Sequence, residues 1–228
     1  MRSAPDDRTA VARIRDAAID QWGQHGFNVG LRSIAEAAGV SAALVIHHFR
    51  SKEGLRKACD EYIAEEVRIA DTEALQSTDP ATWFAQLAQI ESFAPMTAYL
   101  LRTMQSGGDL ANSLWRRLIE NSEVYLDEAV KAGTIKPSRF PEARAKLLAL
   151  FGGGSLLMYI QMHETPTDLA TVLRDYANEV MLPSLELYTE GLMADSTMFD
   201  AFLEQHDKGI PLTSNEGGND DGDVPAAG

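Results

Sequence analysis

Charged, imidazole and small side chains recur at short intervals between Leu31 and Lys52, in the sequence LRSIAEAAGVSAALVIHHFRSK. Arginine can donate two hydrogen bonds to a guanine edge, and both arginine and lysine bind phosphate oxygens. If these side chains share one surface, the chemistry that they could perform is contact with a nucleic acid, with cations placed on its phosphates.

Two short helices joined by a tight turn would position these side chains. Gly39 permits a positive φ after the first helix, and the hydroxyl of Ser41 can cap the start of the second. The small residues Ala35 and Ala38 let the helices cross closely. The other apolar residues of the inner face and the turn are Ile34, Val40, Val45 and Phe49. This pattern predicts a helix-turn-helix, whose second helix fits a major groove about 12 Å wide.

The same stretch resembles the TetR family of bacterial one-component regulators. The matching segments are QHGF at the end of a long preceding helix, IAEAAGVS, and HHFRSKEGL, and the resemblance extends over residues 8–68. It implies an N-terminal DNA-binding domain, a helical ligand-binding domain and a homodimer built largely on two late helices. In particular, the chain is similar to actinobacterial TetR-type repressors encoded beside multidrug efflux transporters, which implies a palindromic operator and a small-molecule inducer.

The resemblance assigns expected roles to individual residues. Arg32 would read a base edge, Lys52 would hold a phosphate, and His47 and His48 would lie at the contact surface of the recognition helix. The full set of expected DNA contacts comprises Arg32, Ser33, Ser41, Ala42, Ala43, Leu44, His47, His48 and Lys52.

This chain departs from the family pattern in two places. The family usually has a tyrosine where this chain has Ile46, and a threonine or serine near Gly30 or Leu31 is absent. Both differences remove a hydroxyl from the DNA-facing side. They support an alternative hypothesis, a helical dimeric interaction protein with a degenerate DNA-binding surface.

Composition narrows the class of protein. The chain has 228 residues, a net charge of -14 and 45% hydrophobic residues, which excludes collagen-like, disulfide-rich and fully disordered classes. The charge is uneven: residues 1–60 carry +2 and residues 61–228 carry -16. A single cysteine, Cys59, allows no intramolecular disulfide, and the N-terminus lacks the apolar core of a signal peptide. We therefore expect a cytoplasmic protein.

Apolar residues spaced by three and four positions predict an all-α fold, with an N-terminal three-helix domain followed by a larger helical ligand-binding and dimerisation domain. The expected boundaries are a flexible N-terminus at 1–7, a DNA-binding domain at 8–68, a helical domain at 69–206 and a disordered acidic tail at 207–228. The predicted helices lie near 8–25, 31–38, 42–48, 52–76, 80–92, 95–105, 109–132, 140–163, 167–182, 183–193 and 196–206.

The uncharged stretch from Leu147 to His163 is 17 residues long, shorter than the roughly 20 residues of a membrane helix. It is expected to be a buried core helix, with no membrane involved. Gly152, Gly153 and Gly154 fall in its middle, where glycine is unfavourable. A close neighbour in the same chain, a partner subunit, or a kink beside a pocket could each explain them.

Large apolar residues between 80 and 163 would mostly form the core, but as a set they suit a pocket for a bulky apolar ligand, with a cation favoured by the acidic charge of this region. The expected lining residues are Trp83, Phe93, Met96, Tyr99, Met104, Trp115, Ile119, Tyr159 and Met162.

Catalytic residues, cofactors and metal ligands are not expected. The sequence lacks a nucleophile elbow, a phosphate-binding loop and an HExxH motif, so an enzyme is disfavoured. His47 and His48 lie about 100° apart on a helix and cannot both face one metal ion. Cys59 is expected to be a small buried residue rather than a nucleophile.

Overall fold

The computed structural model describes the backbone of residues 4–210 and the side chains of residues 9–210. Within this range the chain forms α-helices and one 3-10 helix, with no strand, and the all-α prediction is confirmed. The helices are α1 (Ala4–His25), α2 (Leu31–Ala37), α3 (Ala42–Phe49), α4 (Lys52–Gln76), α5 (Pro80–Leu87), a 3-10 helix (Ile90–Phe93), α6 (Ala94–Ser106), α7 (Gly108–Ala132), α8 (Pro141–Met162), α9 (Leu169–Glu190) and α10 (Thr197–Asp207).

The chain divides into two compact units, Met1–Met181 and Leu182–Gly228. The first contains α1 to α8 and the start of α9; the helix-turn-helix therefore shares one unit with the helices that follow it. The second contains the end of α9 and α10. Most of the predicted acidic tail, from residue 211 onward, lies outside the described residues.

The N-terminal core holds α2 and α3 in place. Trp22 of α1 is fully buried, and its indole nitrogen donates to the carbonyl of Val29 at 3.2 Å. Gly39 has a φ of +65°, and the Ser41 hydroxyl accepts from the backbone nitrogen of Leu44 at 3.2 Å. These two features form the turn that the sequence predicts. The surrounding core includes Ile14, Ala18, Ile34, Ala35, Val45, Leu55, Cys59, Ile63 and Tyr99.

The core does not stop at the end of the helix-turn-helix. Within the first unit α6 packs against α1, and α7 packs against both α4 and α8. A Cβ atom at Gly23 of α1 would lie 2.9 Å from the Cβ of Ala98 and 3.1 Å from the backbone nitrogen of Tyr99. Glycine at this position therefore permits α1 and α6 to lie unusually close.

Three predicted boundaries were wrong. Helix α1 begins at Ala4, inside the segment expected to be flexible. The helix expected over 80–92 ends at Leu87, and a separate 3-10 turn follows. The break expected at Pro183 is absent, and α9 continues through this residue. A proline removes one backbone donor and disfavours the preceding turn, but neighbouring helical hydrogen bonds can maintain the helix.

The prediction of a buried core helix over 147–163 was also wrong. In α8 only Ala145 and Ile160 are buried, whereas Phe151 is 52% exposed and Met162 is 81% exposed. By length and composition alone α8 is long and apolar enough to cross a membrane, and little of its apolar stretch is buried within the chain. Helix α8 is thus rich in apolar side chains that the single chain leaves exposed.

Of the glycines of α8, Gly152 is exposed and Gly153 and Gly154 are half-buried. A Cβ atom added at Gly152, Gly153 or Gly154 would meet nothing within 4 Å. Close approach of a helix from the same chain therefore does not explain them. The helix also runs uninterrupted from Pro141 to Met162.

Candidate nucleic-acid interface

Helix α3 has a buried inner side and an exposed outer side. Val45 is fully buried, whereas Ala43, Ile46 and His47 are exposed. On α2, Arg32 and Ser33 are exposed beside it. The structure thus brings the two short helices together and leaves the Arg32 guanidinium, Ala43 and the His47 imidazole exposed to solvent.

The remaining expected contacts are partly covered. Ala42, Leu44, His48 and Lys52 are half-buried, and Ser41 is exposed although its hydroxyl caps α3. The rings of His47 and His48 lie 5.2 Å apart at an interplanar angle of 73°. One imidazole is exposed and the other is half-buried, so the two present different surfaces. No cluster of three or more metal-ligating side chains occurs among residues 9–210.

Lys52 is the first residue of α4, next to the end of α3. Ser51 caps this helix, its hydroxyl accepting from the backbone nitrogen of Gly54 at 3.0 Å. The backbone nitrogen of Glu53 and the Ser51 hydroxyl hold the pKa of the exposed Glu53 carboxyl below its usual value. Lys52 and the capped N-terminus of α4 thus place a cation and backbone donors at the edge of α3.

The connection from α3 to α4 contains a strained residue. Arg50 has φ 68° and ψ -45°, and it is the one non-glycine residue with positive φ in residues 4–210. The backbone nitrogen of Ser51 donates to the carbonyl of Phe49 at 2.8 Å, which closes a three-residue γ-turn around Arg50. This form of γ-turn is rare and strained. Sequence analysis does not identify it, because arginine at this position carries no turn signal.

Arg102 links α6 to the end of α1. Its Nε donates to the carbonyl of Gly23 at 3.1 Å, and its Nη2 donates to the carbonyl of Gln24 at 3.2 Å. The last carbonyls of a helix lack intrahelical donors and carry partial negative charge. A guanidinium at this position supplies the missing donors and a compensating positive charge. The contact joins residues 79 positions apart, and no local pattern could have predicted it.

Arg56 and Tyr99 form further links between α4, α6 and the α1–α2 connection. The guanidinium of Arg56 lies 3.7 Å from the centre of the Phe27 ring and donates to the Ser106 hydroxyl at 3.2 Å. Tyr99 donates to the carboxylate of Asp60 at 2.6 Å. The helices on either side of the helix-turn-helix, α1 and α4, are therefore attached to α6 by polar contacts as well as by apolar packing.

The nine residues expected to line a ligand pocket are divided among several environments. Met96 and Tyr99 belong to the N-terminal core. The Trp83 indole donates to the carbonyl of Ala74 at 2.9 Å, and Tyr159 lies against His163 and Tyr176. Met162 is exposed and Tyr99 is buried. The other seven are half-buried: Trp83, Phe93, Met96, Met104, Trp115, Ile119 and Tyr159. The structure brings together Met96 and Tyr99, but it places Tyr159 and Met162 on the surface of α8.

A polar pair that sequence analysis missed lies between α4 and α7. Burial raises the pKa of Asp71 to about 6, although its hydrogen bond with Tyr125 acts in the opposite direction. Burial, and then the nearby Asp71, raises the pKa of Tyr125 to about 12. The Tyr125 hydroxyl oxygen also lies 3.0 Å from the Ser122 hydroxyl oxygen, within hydrogen-bond distance. These groups form a polar site within largely apolar helices.

Comparison with known families agrees with this arrangement. Residues 14–59 match the family model described as "Bacterial regulatory proteins, tetR family", which includes α2, α3 and the start of α4. Residues 91–194 match the model described as "Tetracyclin repressor-like, C-terminal domain". The two matches fall on the helix-turn-helix and on the later helices.

Similar proteins give the same result. The HTH-type transcriptional regulatory protein RaaS of Mycobacterium tuberculosis is 66% identical over 209 residues, which cover 92% of this chain and 98% of that protein. A TetR transcriptional regulator structure from Chloroflexus aurantiacus is 23% identical, covers 77% of this chain and 97% of its own, and has a TM-score of 0.52, which supports the fold alone. The chain belongs to the TetR family of helix-turn-helix transcriptional regulators.

Proposed function

We propose that this regulator is a cytoplasmic, ligand-responsive repressor. As a homodimer it would bind a palindromic operator, and a bulky apolar small molecule would release it. The resemblance to repressors encoded beside efflux transporters suggests an efflux operon as its target. The observation that carries the proposal is the exposed outer side of α3, held by a buried inner side and a capped start.

The surface of α3 and its neighbours supports sequence-specific DNA binding. Arg32 and the outer side chains of α3 are exposed, and Lys52 follows at the start of α4. They would act as a base-reading group with a phosphate-binding cation. One short helix makes few base contacts, so a two-fold pair of them is expected to read two half-sites.

The exposed face of α8 supports a homodimer. Leu147, Leu150, Phe151, Met158 and Met162 are between 47% and 81% exposed, and the three glycines between them leave open surface. Apolar patches of this kind are uncommon on monomers, and glycines allow two helices to approach closely. A partner subunit would cover the apolar residues of α8 that this chain leaves in solvent. Dimerisation would thus account for this face without insertion into a membrane.

The contacts of α6 support a route from a ligand to the DNA-binding helices. Arg102 and Tyr99 attach this helix to α1 and α4, so a ligand that shifts α6 would also move α3. A coupling free energy of about 1–3 kcal/mol would change operator affinity about 5- to 150-fold. The acidic charge of residues 61–228 favours a cationic ligand over an anionic one.

A gel-shift titration with DNA from upstream of the chain's own gene tests the proposal. The wild-type protein should bind this DNA as a dimer, and sedimentation should show the same dimer without DNA. Cationic dyes, followed by tryptophan fluorescence, should bind more weakly when the operator is present, because coupling is reciprocal. Matched anionic dyes serve as the control.

A second candidate, a dimeric interaction protein with a degenerate DNA-binding surface, rests on Ile46. This side chain is 45% exposed at the outer surface of α3, where it offers no hydrogen-bonding group. Such a protein would form the dimer but would bind its own upstream DNA no more tightly than a random duplex.

A further inference from the structure

The backbone at Arg50 is held in a conformation that arginine rarely adopts. Its φ of 68° with ψ -45° is unfavourable for a residue with a Cβ atom, whereas glycine adopts positive φ readily. Every other described residue with positive φ is a glycine. At this one turn the chain retains a side chain where glycine would fit more easily.

The turn itself is fixed from both sides. The backbone nitrogen of Arg50 donates to the carbonyl of Ile46 at 3.0 Å, which ends α3. On the other side, a Cβ atom at Gly54 would lie 2.1 Å from the carbonyl oxygen of Phe49, so α4 passes directly against the turn. Neither helix can shift to relax Arg50 without losing these contacts.

Among the described residues the Arg50 side chain has no polar partner. It is exposed, and within residues 9–210 its guanidinium makes neither a hydrogen bond nor an ion pair. The strain is therefore not offset by a polar interaction of this side chain inside the chain. Backbone strain that persists without such an offset is typical of positions that serve binding.

We propose that Arg50 is a DNA-phosphate contact at the C-terminal end of the recognition helix. The inference rests on the proposed DNA binding and adds a residue to it. Arg50 lies two positions before Lys52, and the γ-turn directs the chain sharply between the two helices. The guanidinium would contact the DNA backbone four positions after Ile46, whose apolar side chain offers no such contact. Phosphate contacts of this kind fix the register of the protein on the duplex.

Replacing Arg50 separates its binding role from its structural role, because the two have opposite signs. Arg50→Gly relieves the strain, so its Tm should equal or exceed that of the wild-type protein. Its affinity for DNA should nevertheless fall. Arg50→Asn provides a second test, since asparagine tolerates positive φ and removes the charge.

The probe is a fluorescein-labelled, mixed-sequence duplex of three helical turns, titrated by anisotropy with the full-length protein at several salt concentrations. Loss of one phosphate contact should reduce the slope of log K against log salt by about 0.9 for each bound subunit. The deficit in affinity should therefore shrink by about 3.5-fold for each subunit between about 50 mM and about 200 mM salt. Arg50→Lys should keep the wild-type slope.

Lys57→Ala is the matched control, because Lys57 is an exposed cation of α4 whose side chain lies 3.9 Å from Glu61. It should leave the slope unchanged. Wild-type slopes in both Arg50→Gly and Arg50→Asn would overturn the inference, as would an Arg50→Lys variant as weak as Arg50→Gly. A wild-type protein that binds no duplex would instead reject the proposed DNA binding.

Discussion

The hydroxyl of Tyr99 donates a 2.6 Å hydrogen bond to the buried carboxylate of Asp60. Tyr99 lies on α6 and Asp60 on α4, so the bond connects the segment that matches the C-terminal family model to the long helix that follows the helix-turn-helix. Burial raises the pKa of Asp60, with Tyr99 and Arg56 acting in the opposite direction. Tyr99 and Arg56 therefore stabilise the ionised form of this buried carboxyl group.

Tyr99→Phe should lower the free energy of unfolding by about 1–3 kcal/mol at neutral pH, because it leaves a buried carboxylate without its donor. Since the native pKa of Asp60 is raised, the protonated carboxyl carries no penalty below the unfolded pKa, and stability is lost as the pH rises through the native value and the buried group ionises. Tyr99 reduces this loss by donating to the ionised carboxylate. The variant's loss should thus be smaller in acid. Urea unfolding at neutral and at acidic pH measures this loss in the free energy of unfolding. The control Tyr188→Phe, at a residue 60% exposed, should have no effect. A loss independent of pH would argue against this role.

Asp71→Asn should stabilise the protein at neutral and alkaline pH. Asp71 has a pKa of about 6 in place of 3.8, so its ionised form is unfavourable in the folded chain above that pH. The gain should reach at most about 3 kcal/mol and disappear below about pH 4, where both states are protonated. Thermal unfolding across this range tests the sign. Asp127→Asn, at an exposed residue that pairs with Lys131, is the control, and a destabilised Asp71→Asn at high pH would refute the assignment.

Arg102→Ala should weaken DNA binding although Arg102 lies on α6 rather than on the helix-turn-helix. Removal of its guanidinium leaves the carbonyls of Gly23 and Gln24 without these donors and should cost about 1–2 kcal/mol of stability. Operator binding should also respond less to ligand. Arg116→Ala removes an exposed guanidinium whose Nε donates to the carbonyl of Asn112 at 3.4 Å within the same helix, and it should behave like the wild-type protein. Equal behaviour of the two variants would mean that Arg102 does not couple the helices.

Arg32→Ala and Lys52→Ala should impair DNA binding in different ways. Loss of a base-reading guanidinium should cost about 1–3 kcal/mol on the operator and relax preference at one base in each half-site. Loss of the lysine should weaken all sequences alike and reduce the salt slope by about one for each subunit. Gel shifts on operator and random duplexes distinguish the two. Equal loss on both duplexes for Arg32→Ala would reject base reading.

Gly153→Leu should weaken the dimer while leaving the single chain folded. Open space surrounds this position, and leucine is the better helix former by up to about 1 kcal/mol. The added bulk would separate two helices that meet at α8. Sedimentation velocity should show more monomer than for Ala143→Leu, an exposed change in the first turn of the same helix. An intact dimer would place the interface elsewhere.

Local patterns were sufficient to predict most of the fold. Apolar spacing identified the helices, and Gly39 with Ser41 identified the turn before α3, because both depend on neighbouring residues. Pro183 misled the prediction because the helical hydrogen bonds on either side outweigh its own missing donor. The contacts of Arg102 and Tyr99 could not be predicted, since each joins residues far apart in the sequence.

Exposure was harder to predict than helix type. The uncharged composition of α8 indicated burial, but burial depends on what packs against the helix, and the single chain leaves Phe151 in solvent. Strain was harder still. Nothing in the identity of Arg50 indicates its positive φ.

The buried thiol of Cys59 can report the local unfolding that exposes it to solvent. Cys59 is 0% exposed, burial raises its pKa, and its Sγ lies 3.8 Å from the carbonyl of Arg15. Alkylating reagents attack the thiolate, so the folded protein should remain unlabelled while a cysteine engineered on the surface reacts completely. A fluorophore can thus be attached at a chosen site without removing the native residue. In the unmodified chain, the rate of alkylation would time the separation of α1 from α4.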